Sequence, residues 1–235
     1  MKKIAILQSN YIPWKGYFDI INSVDEFILY DDMQYTRRDW RNRNKIKTPS
    51  GLNWLTIPVE NKGRFLQKIN ETQVTDNSWC QKHLRALEVN YAHAPHYHEI
   101  MDFLRPLYLA CENETFLSRI NHLFLTEICQ YLGIGTSITW SSDYTLADGK
   151  TERLVGLVRS AGGDLYLSGP AARDYIEDHY FEDAGIKLVY MDYSGYPEYP
   201  QLYPPFEHGV SILDLLFMEG KNAPAFMKSF HEELS

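Results

Sequence analysis

Short apolar runs alternate with amphipathic stretches along this chain, and that alternation limits the possible folds more than any other feature. Residues 3–7 read KIAIL, a run rich in strand formers, and polar residues and then Pro13 follow it. Apolar residues recur at helical spacing over 17–24, and a second apolar run occupies 27–30. The first thirty residues therefore predict a strand, a helix and another strand.

The same alternation returns later, after a middle region that looks helical. Apolar residues three and four positions apart make stripes there, as in helices that face a core. Beyond Gly135 the spacing changes again, and strand-like runs reappear. The later elements predicted in this way are helices over 80–91 and 117–131, a strand at 137–141, a helix near 151–161, and strands at 165–167 and 186–191.

A turn signal, Pro49-Ser50-Gly51, separates residues 42–47 from 53–59 and predicts a β-hairpin inserted after the second strand. Strands that alternate with helices favour an open, mainly parallel sheet covered by helices over a helical bundle or a β-sandwich. With 235 residues, 44% of them hydrophobic, the chain can bury one sizeable core. We expect one α/β domain over residues 1–235, with an inserted hairpin and a helical middle region.

Charge is unevenly distributed. The net charge of −8 argues against a general nucleic-acid binder held by phosphate contacts. Between Arg37 and Lys47, however, six Arg and Lys residues stand against a single Asp. Because Arg can chelate phosphate or carboxylate with two hydrogen bonds, the segment predicts an anion site. The alternative is a solvated strand face, and the interleaved Trp40, Asn42 and Asn44 favour the site.

Three segments follow predicted strands directly. They are residues 8–16, 31–35 and 168–170. In an open α/β sheet, ligands bind outside the carboxyl ends of the strands, near helix N-termini that carry partial positive charge. Gly16 and Gly169 would allow close backbone approach, although turn geometry explains each glycine about as well. We therefore expect these segments to converge on one ligand.

Two kinds of titratable residue are candidates for proton transfer. Asp31 and Asp32 could position an amine, bind Mg²⁺ or act as a general base, or could simply pair with Arg37 or Arg41. His83 falls on the apolar face of its predicted helix. Such a residue is usually a core histidine, but a buried histidine beside a pocket is also a common general base.

Other common sites find little support. The HAPHYH stretch that holds His93, His96 and His98 predicts an interhelical loop, and we expect no metal there. Three widely spaced cysteines predict reduced thiols, and GxSxG, Walker A and GxGxxG motifs are absent. No apolar run approaches the roughly 20 residues of a membrane helix, and the start lacks a signal-peptide pattern. We expect a soluble, cytoplasmic protein.

Five stretches of the sequence together resemble the WbqC-like family. They read QSNYIPWKGYFDII over residues 8–21, LYDDMQYTRRDWRNRNKIKT over 29–48, NWLTIPV over 53–59, YLSGPAARDYI over 166–176 and YPQLYPPFEHGVSILDLLF over 199–217. The resemblance spans nearly the whole chain. It implies an association with the biosynthesis of O-antigen or other bacterial surface polysaccharides, and an action on nucleotide-linked sugars, particularly amino sugars.

The start of the chain also resembles, distantly, the nucleotidylyltransferase superfamily. There the first strand leads into a proline and a small-residue turn before the helix. In that superfamily the turn carries a histidine pair, whereas here it reads Pro13-Trp14-Lys15-Gly16-Tyr17. An adenylating activity therefore does not carry over at these positions.

Together these expectations describe a transferase that adds an acyl or aminoacyl group to the amine of a nucleotide-linked deoxyamino sugar. The arginines would hold the pyrophosphate, Trp14, Tyr17 or Trp40 would stack on base or sugar, and Asp32 or His83 would take the amine proton. The donor stays open between an acyl thioester on an acyl carrier protein and an amino acid activated by ATP. The residues expected to bind substrate are Gln8, Asn10, Tyr11, Trp14, Gly16, Tyr17, Asp31, Gln34, Tyr35, Arg37, Trp40, Arg41, Asn42, Arg43, Asn44, Ser168 and Gly169.

Two other classes of function compete with the transferase. A non-catalytic sugar-nucleotide-binding or scaffold protein of the same pathway would bind the ligand without turnover. A nucleic-acid enzyme is suggested by RRDWRNRNK over residues 37–45, but the acidic remainder of the chain argues against it. The sequence leaves the sugar and the oligomeric state open.

Overall fold

A five-stranded parallel sheet forms the centre of the computed structural model, which describes residues 1–231. Its strands are β1 (Lys3–Leu7), β2 (Glu26–Leu29), β5 (Ser137–Trp140), β6 (Leu165–Ser168) and β7 (Lys187–Tyr190). They lie in the order β5-β2-β1-β6-β7, and all neighbours are parallel. The chain therefore starts in the middle of the sheet, builds outward to one edge, and returns to build the other.

Helices cover both faces of this sheet. Because successive side chains of a strand point to opposite faces, Ala5 packs into one apolar cluster while Ile4 and Ile6 pack into another. The first cluster contains residues of α1, α2, α3, α4 and α7, and the second contains residues of α5 and α6. The helices are α1 (Lys15–Asn22), α2 (Trp79–Tyr91), α3 (Tyr97–Ala110), α4 (Leu117–Leu132), α5 (Thr151–Ser160), α6 (His179–Asp183) and α7 (Ile212–Glu219).

A separate antiparallel hairpin is formed by β3 (Arg43–Thr48) and β4 (Gly51–Thr56). Only two residues join its strands, and Gly51 takes the left-handed conformation, with φ of 104°, that the tight turn requires. Ile46 and Leu55 bury the inner face of the hairpin in the larger cluster. The hairpin therefore packs on the same side of the sheet as α1.

The fold predicted from the sequence is confirmed. The parallel sheet, its covering helices, the hairpin and the helical middle region all form. The differences are local: the second hairpin strand begins at Gly51, two residues earlier than predicted, and α1 ends before Val24. His98 lies inside α3 and outside the predicted interhelical loop, since α3 begins two residues after Pro95.

The remaining structural expectations concern membranes, metals and cysteines. Within residues 1–231 no helix is long and apolar enough to cross a membrane. The same residues contain no group of three or more His, Cys, Asp or Glu side chains arranged to hold a metal ion. Cys80, Cys111 and Cys129 are buried free thiols, and burial raises the pKa of each to about 12.

His83 lies in the core, on α2, within an aromatic cluster. Its Nδ1 is 2.9 Å from the Tyr11 hydroxyl, which in turn lies 2.8 Å from the Tyr108 hydroxyl. Trp79 and Tyr108 pack against the imidazole ring in T-shaped arrangements. Burial lowers the pKa of His83 to about 4, so the ring is neutral at physiological pH.

We predict that His83 makes the stability of the protein dependent on pH. In the unfolded chain histidine titrates near about 6.5, so the unfolded state binds the proton first as the pH falls. Stability should therefore be lost as the pH falls from about 6.5 to about 4, by roughly 3 kcal/mol from this residue. Urea unfolding of the wild type and of His83→Gln at several pH values measures the effect. Parallel pH profiles for the two proteins would contradict it.

Candidate ligand-binding site

A crevice of about 810 Å³ opens at the carboxyl ends of β1, β2 and β6. Leu7 ends β1, Tyr30 follows β2, and Tyr166 belongs to β6, and all three line it. The strand order reverses between β1 and β6, and at such a switch point the loops diverge and leave room for a ligand. The volume falls within the range of about 300–1,000 Å³ typical of small-molecule sites.

The crevice is positively charged. Arg41, Lys150 and Arg153 line it, and among its described lining residues there is no Asp or Glu. Lys150 and Arg153 lie at the start of α5, where free backbone N–H groups and the helix dipole add partial positive charge. Gly149, with φ of 91°, makes the left-handed turn into this helix. The arrangement is suited to a phosphate or carboxylate group.

Arg41 is held in place by the loop that follows β1. Its two terminal nitrogens donate hydrogen bonds to the side-chain oxygens of Asn10 and Gln8, and Asp39 lies 3.6 Å from one of them. Its Nε is buried and has no hydrogen-bond partner within residues 1–231. Each terminal nitrogen carries a second N–H, so the fixed guanidinium keeps donors for a ligand.

A buried carboxylate, Asp31, organises the floor of this region. It accepts hydrogen bonds from the Ser9 amide at 2.8 Å, the Ser9 hydroxyl at 2.7 Å and the Ser118 hydroxyl at 2.5 Å. Asn121 donates to the Ser9 hydroxyl and to the Arg41 carbonyl. Burial raises the pKa of Asp31, while these hydrogen bonds and the Arg41 charge oppose the rise. Asp31 therefore joins the β1 loop, the end of β2 and α4.

A second cavity, which we call the side chamber, lies next to the crevice. Its volume is about 310 Å³, and Asn10 and Trp40 line both cavities. Its other lining residues are Pro13, Trp14, Asn44, His208 and Gly209.

Trp14 is fixed in the side chamber by close packing. A Cβ at Gly16 would lie 2.3 Å from the indole, so only glycine leaves room for the ring. Tyr193 and Tyr196 contact the ring from the aromatic loop between β7 and α7. Lys15 holds that loop, since its buried ammonium donates to the Pro197 carbonyl at 2.7 Å. The absence of a side chain at Gly16 therefore allows the Trp14 indole to pack against the backbone.

The structure brings together six of the residues predicted to bind substrate. Four others are buried and do not line either cavity. The six that line the crevice or the side chamber are Gln8, Asn10, Trp14, Trp40, Arg41 and Asn44. Tyr17 is buried and donates to the Gln8 carbonyl, and Asn42 is buried and donates to the Ile57 carbonyl. Tyr11 and Asp31 are also core residues.

Several predicted site residues lie elsewhere. Gln34, Tyr35 and Arg37 line a different cavity, where Arg37 donates to the Asn61 carbonyl at 2.5 Å. The Arg43 guanidinium lies over the Trp54 ring, 4.0 Å from its centre. The expectation that the arginines converge holds for Arg41 alone among these three. Arg37 and Arg43 point away from the crevice, because Arg37 bonds to the 61–65 segment and Arg43 stacks on the hairpin.

The end of β6 also differs from the expectation. Ser168 is buried and donates to the Tyr166 hydroxyl at 3.3 Å, and nothing packs within 4 Å of a Cβ built at Gly169. The side chains that β6 and its following turn contribute to the crevice are Tyr166 and Tyr175.

Neither predicted proton acceptor lines the crevice or the side chamber. Asp32 accepts from the Ser141 hydroxyl at 2.6 Å and from the Asn70 amide at 3.3 Å, with the Lys68 ammonium 3.8 Å away. It ties β2 to the segment after β5. His83 lies in the core, as described above. The prediction that either takes a proton from a bound amine therefore has no support from their placement.

Sequence reasoning missed two parts of the site. Gly149, Lys150 and Arg153 follow the edge strand β5 through a ten-residue connection, and Gly-Lys-Thr before an amphipathic helix was the available signal. His208 and Gly209 lie far from the other residues in sequence, within the FEHGVS stretch before α7. No local pattern connects that stretch with the β1 loop.

Sheet order and covering helices define a doubly wound α/β protein, and its crevice lies at the switch point of the sheet. The chain belongs to the WbqC-like protein family, whose profile matches residues 8–226. It is similar to the protein named "Uncharacterized protein Rv1507c" from Mycobacterium tuberculosis (strain ATCC 25618 / H37Rv), with 56% identity over 228 residues, covering 97% of this chain and 98% of that one. No solved structure matches the chain, so the distant nucleotidylyltransferase resemblance stays a prediction.

We predict that Asp31→Ala destabilises the protein by about 3 kcal/mol, because it leaves the buried donors of Ser9 and Ser118 without their charged acceptor. Urea unfolding measures the change. The matched control is Asp192→Ala, whose carboxylate also accepts from a serine amide and hydroxyl, those of Ser194, but on the surface. The control should unfold at nearly the wild-type urea concentration. Equal midpoints for all three proteins would contradict the role of Asp31.

Proposed function

We propose that the protein binds a nucleotide-linked deoxyamino sugar in the crevice and transfers an acyl or aminoacyl group to its amine. The observation that carries the proposal is the cluster of Arg41, Lys150 and Arg153 at the switch point of the sheet. A pyrophosphate presents several anionic oxygens in a small volume, which suits guanidinium groups and a helix N-terminus. The WbqC-like resemblance supports a sugar nucleotide of surface-polysaccharide biosynthesis as the anion.

The remaining lining of the crevice suits the rest of such a ligand. Trp40 is 39% exposed and Tyr175 is 56% exposed, which is unusual for large aromatic side chains. Each offers a ring face on which a nucleobase can stack. Tyr30 and Gln8 add hydrogen-bonding groups near the end of β1. The group donor would be an acyl thioester on a carrier protein or an amino acid activated by ATP.

A non-catalytic sugar-nucleotide-binding protein is the second candidate. It is favoured by the positions of Asp32 and His83, which are hydrogen-bonded away from the two cavities. An amine must lose a proton to act as a nucleophile, and neither residue lines the crevice or the side chamber. Binding without turnover would fit that arrangement.

We predict that Arg41→Ala weakens the binding of nucleoside diphosphates such as UDP or dTDP by about 10- to 100-fold. Loss of charge-assisted hydrogen bonds of about 1.5–3 kcal/mol gives this range. Isothermal titration calorimetry measures the Kd, and Arg153→Ala provides a second variant. The control is Arg37→Ala, whose side chain lies at another cavity and should leave the Kd within about twofold. Equal losses in Arg37→Ala and Arg41→Ala would contradict the site.

We predict an amide product when the protein is incubated with a nucleotide amino sugar and a suitable donor. Mass spectrometry of the nucleotide sugar detects the added acyl or aminoacyl mass, and Arg41→Ala should reduce its rate of formation. Donors to be tried are acyl thioesters, free or on a carrier protein, and amino acids with ATP. If nucleotide sugars bind but no donor yields product, the non-catalytic candidate replaces the transferase.

A further inference from the structure

One residue of the side-chamber wall, His208, has a buried polar atom that is not hydrogen-bonded to any described residue. His208 Nδ1 is buried and has no hydrogen-bond partner within residues 1–231. Leaving a buried polar atom unpaired costs about 1–3 kcal/mol, so such atoms in a cavity wall indicate a missing ligand or water. Among the described residues that line the chamber, it is the only side-chain atom in this condition.

The side chains of Asn44 and Asn10 in the chamber wall are held by hydrogen bonds to other parts of the chain. Asn44 donates to the carbonyls of Tyr11 at 3.1 Å and Ile12 at 2.9 Å, and its side-chain oxygen accepts from the Lys45 amide at 2.8 Å. These bonds hold Ile12 in a left-handed conformation, with φ of 41°, that is rare for a β-branched residue. The side-chain oxygen of Asn10 accepts from Arg41.

His208 is held in position by the surrounding chain. The amide and carbonyl of Glu207 bond to the Gln201 side chain, and the Gly209 amide donates to the Glu207 carboxylate at 2.7 Å. Two residues further on, the Ser211 amide donates to the Lys45 carbonyl of β3 at 2.9 Å. The segment therefore presents the imidazole to the chamber from a fixed backbone.

The lining of the chamber is suited to a pyranose ring. Trp14, Trp40 and Pro13 provide apolar surface, and His208 provides one hydrogen-bonding nitrogen. Burial, then the nearby Lys15 ammonium, lower the pKa of His208, while Glu198 and Glu207 oppose this. A neutral imidazole accepts a hydrogen bond from a hydroxyl or an ammonium group. A sugar has both an apolar ring face and such donors at its edge.

We infer that the side chamber holds the sugar ring of the bound nucleotide-linked sugar, and that the His208 imidazole accepts a hydrogen bond from its amine or hydroxyl substituent. The inference rests on the proposed function. It follows from the adjacency of the two cavities, since Asn10 and Trp40 line both of them. With the pyrophosphate at Arg41, the sugar extends past these residues into the chamber. His208 then contributes to the affinity for the sugar and does not contribute to the affinity for the nucleotide.

The test compares two ligands across variants of His208. Isothermal titration calorimetry gives Kd values for UDP and UDP-glucosamine, and for dTDP and a dTDP-linked amino sugar. We expect the wild type to bind the amino-sugar conjugate at least about tenfold more tightly than the matching diphosphate. His208→Ala should lose most of that preference and keep the Kd for the diphosphate within about twofold, while His208→Gln should restore part of the preference.

The controls separate this inference from the proposed function. His93→Ala removes an exposed histidine that lines neither cavity, and it should behave as the wild type does. Thermal unfolding checks that each variant is folded before binding is measured. An unchanged preference in His208→Ala, or an equal loss for both ligands, overturns the role of His208 while the nucleotide site stands. If the wild type binds no diphosphate at all, the proposed function itself is wrong.

Discussion

The edge of the sheet that carries the crevice depends on the hydrogen bonds of one buried carboxylate, that of Asp31. It gathers donors from Ser9 and Ser118, and Asn121 extends the network to the backbone of Arg41. These groups come from the first loop, the end of β2, the basic segment and α4. Without a charged acceptor at the centre, four segments would have to bring unpaired polar groups into a dry interior, which is costly.

The charge of the site follows from the topology. Parallel strands end at one edge of the sheet, so the loop after β1, the segment after β2 and the start of α5 meet there although they are distant in sequence. Three cations line the crevice without any acidic residue among its described lining, so the rest of the chain carries a net charge of −11. An acidic protein with a local basic site attracts small anionic ligands and repels long polyanions such as nucleic acid.

Hydrophobic periodicity was enough to predict the five strands of the sheet and helices α1, α2, α4 and α5, because strands and helices bury one face at a fixed spacing. It could not predict which strands pair, nor the direction of individual side chains in the basic segment. Arg41 and Arg43 are two residues apart, yet Gln8 and Asn10 hold the first while Trp54 of the hairpin attracts the second. Such choices depend on partners that are remote in sequence, and the same reason hides Lys150 and His208 from any local pattern.

The two cavities are completed at different points of chain synthesis, because only the side chamber includes residues from the segment just before α7. The residues that line the crevice all precede residue 176, whereas the side chamber needs His208 and Gly209. Trp14, near the beginning of the chain, packs against Tyr193 and Tyr196, which are synthesised much later. Lys15 likewise bonds to the carbonyl of Pro197. A nascent chain thus contains the three cations of the crevice well before the residues that close the side chamber, so the proposed recognition of a sugar would be among the last properties it acquires.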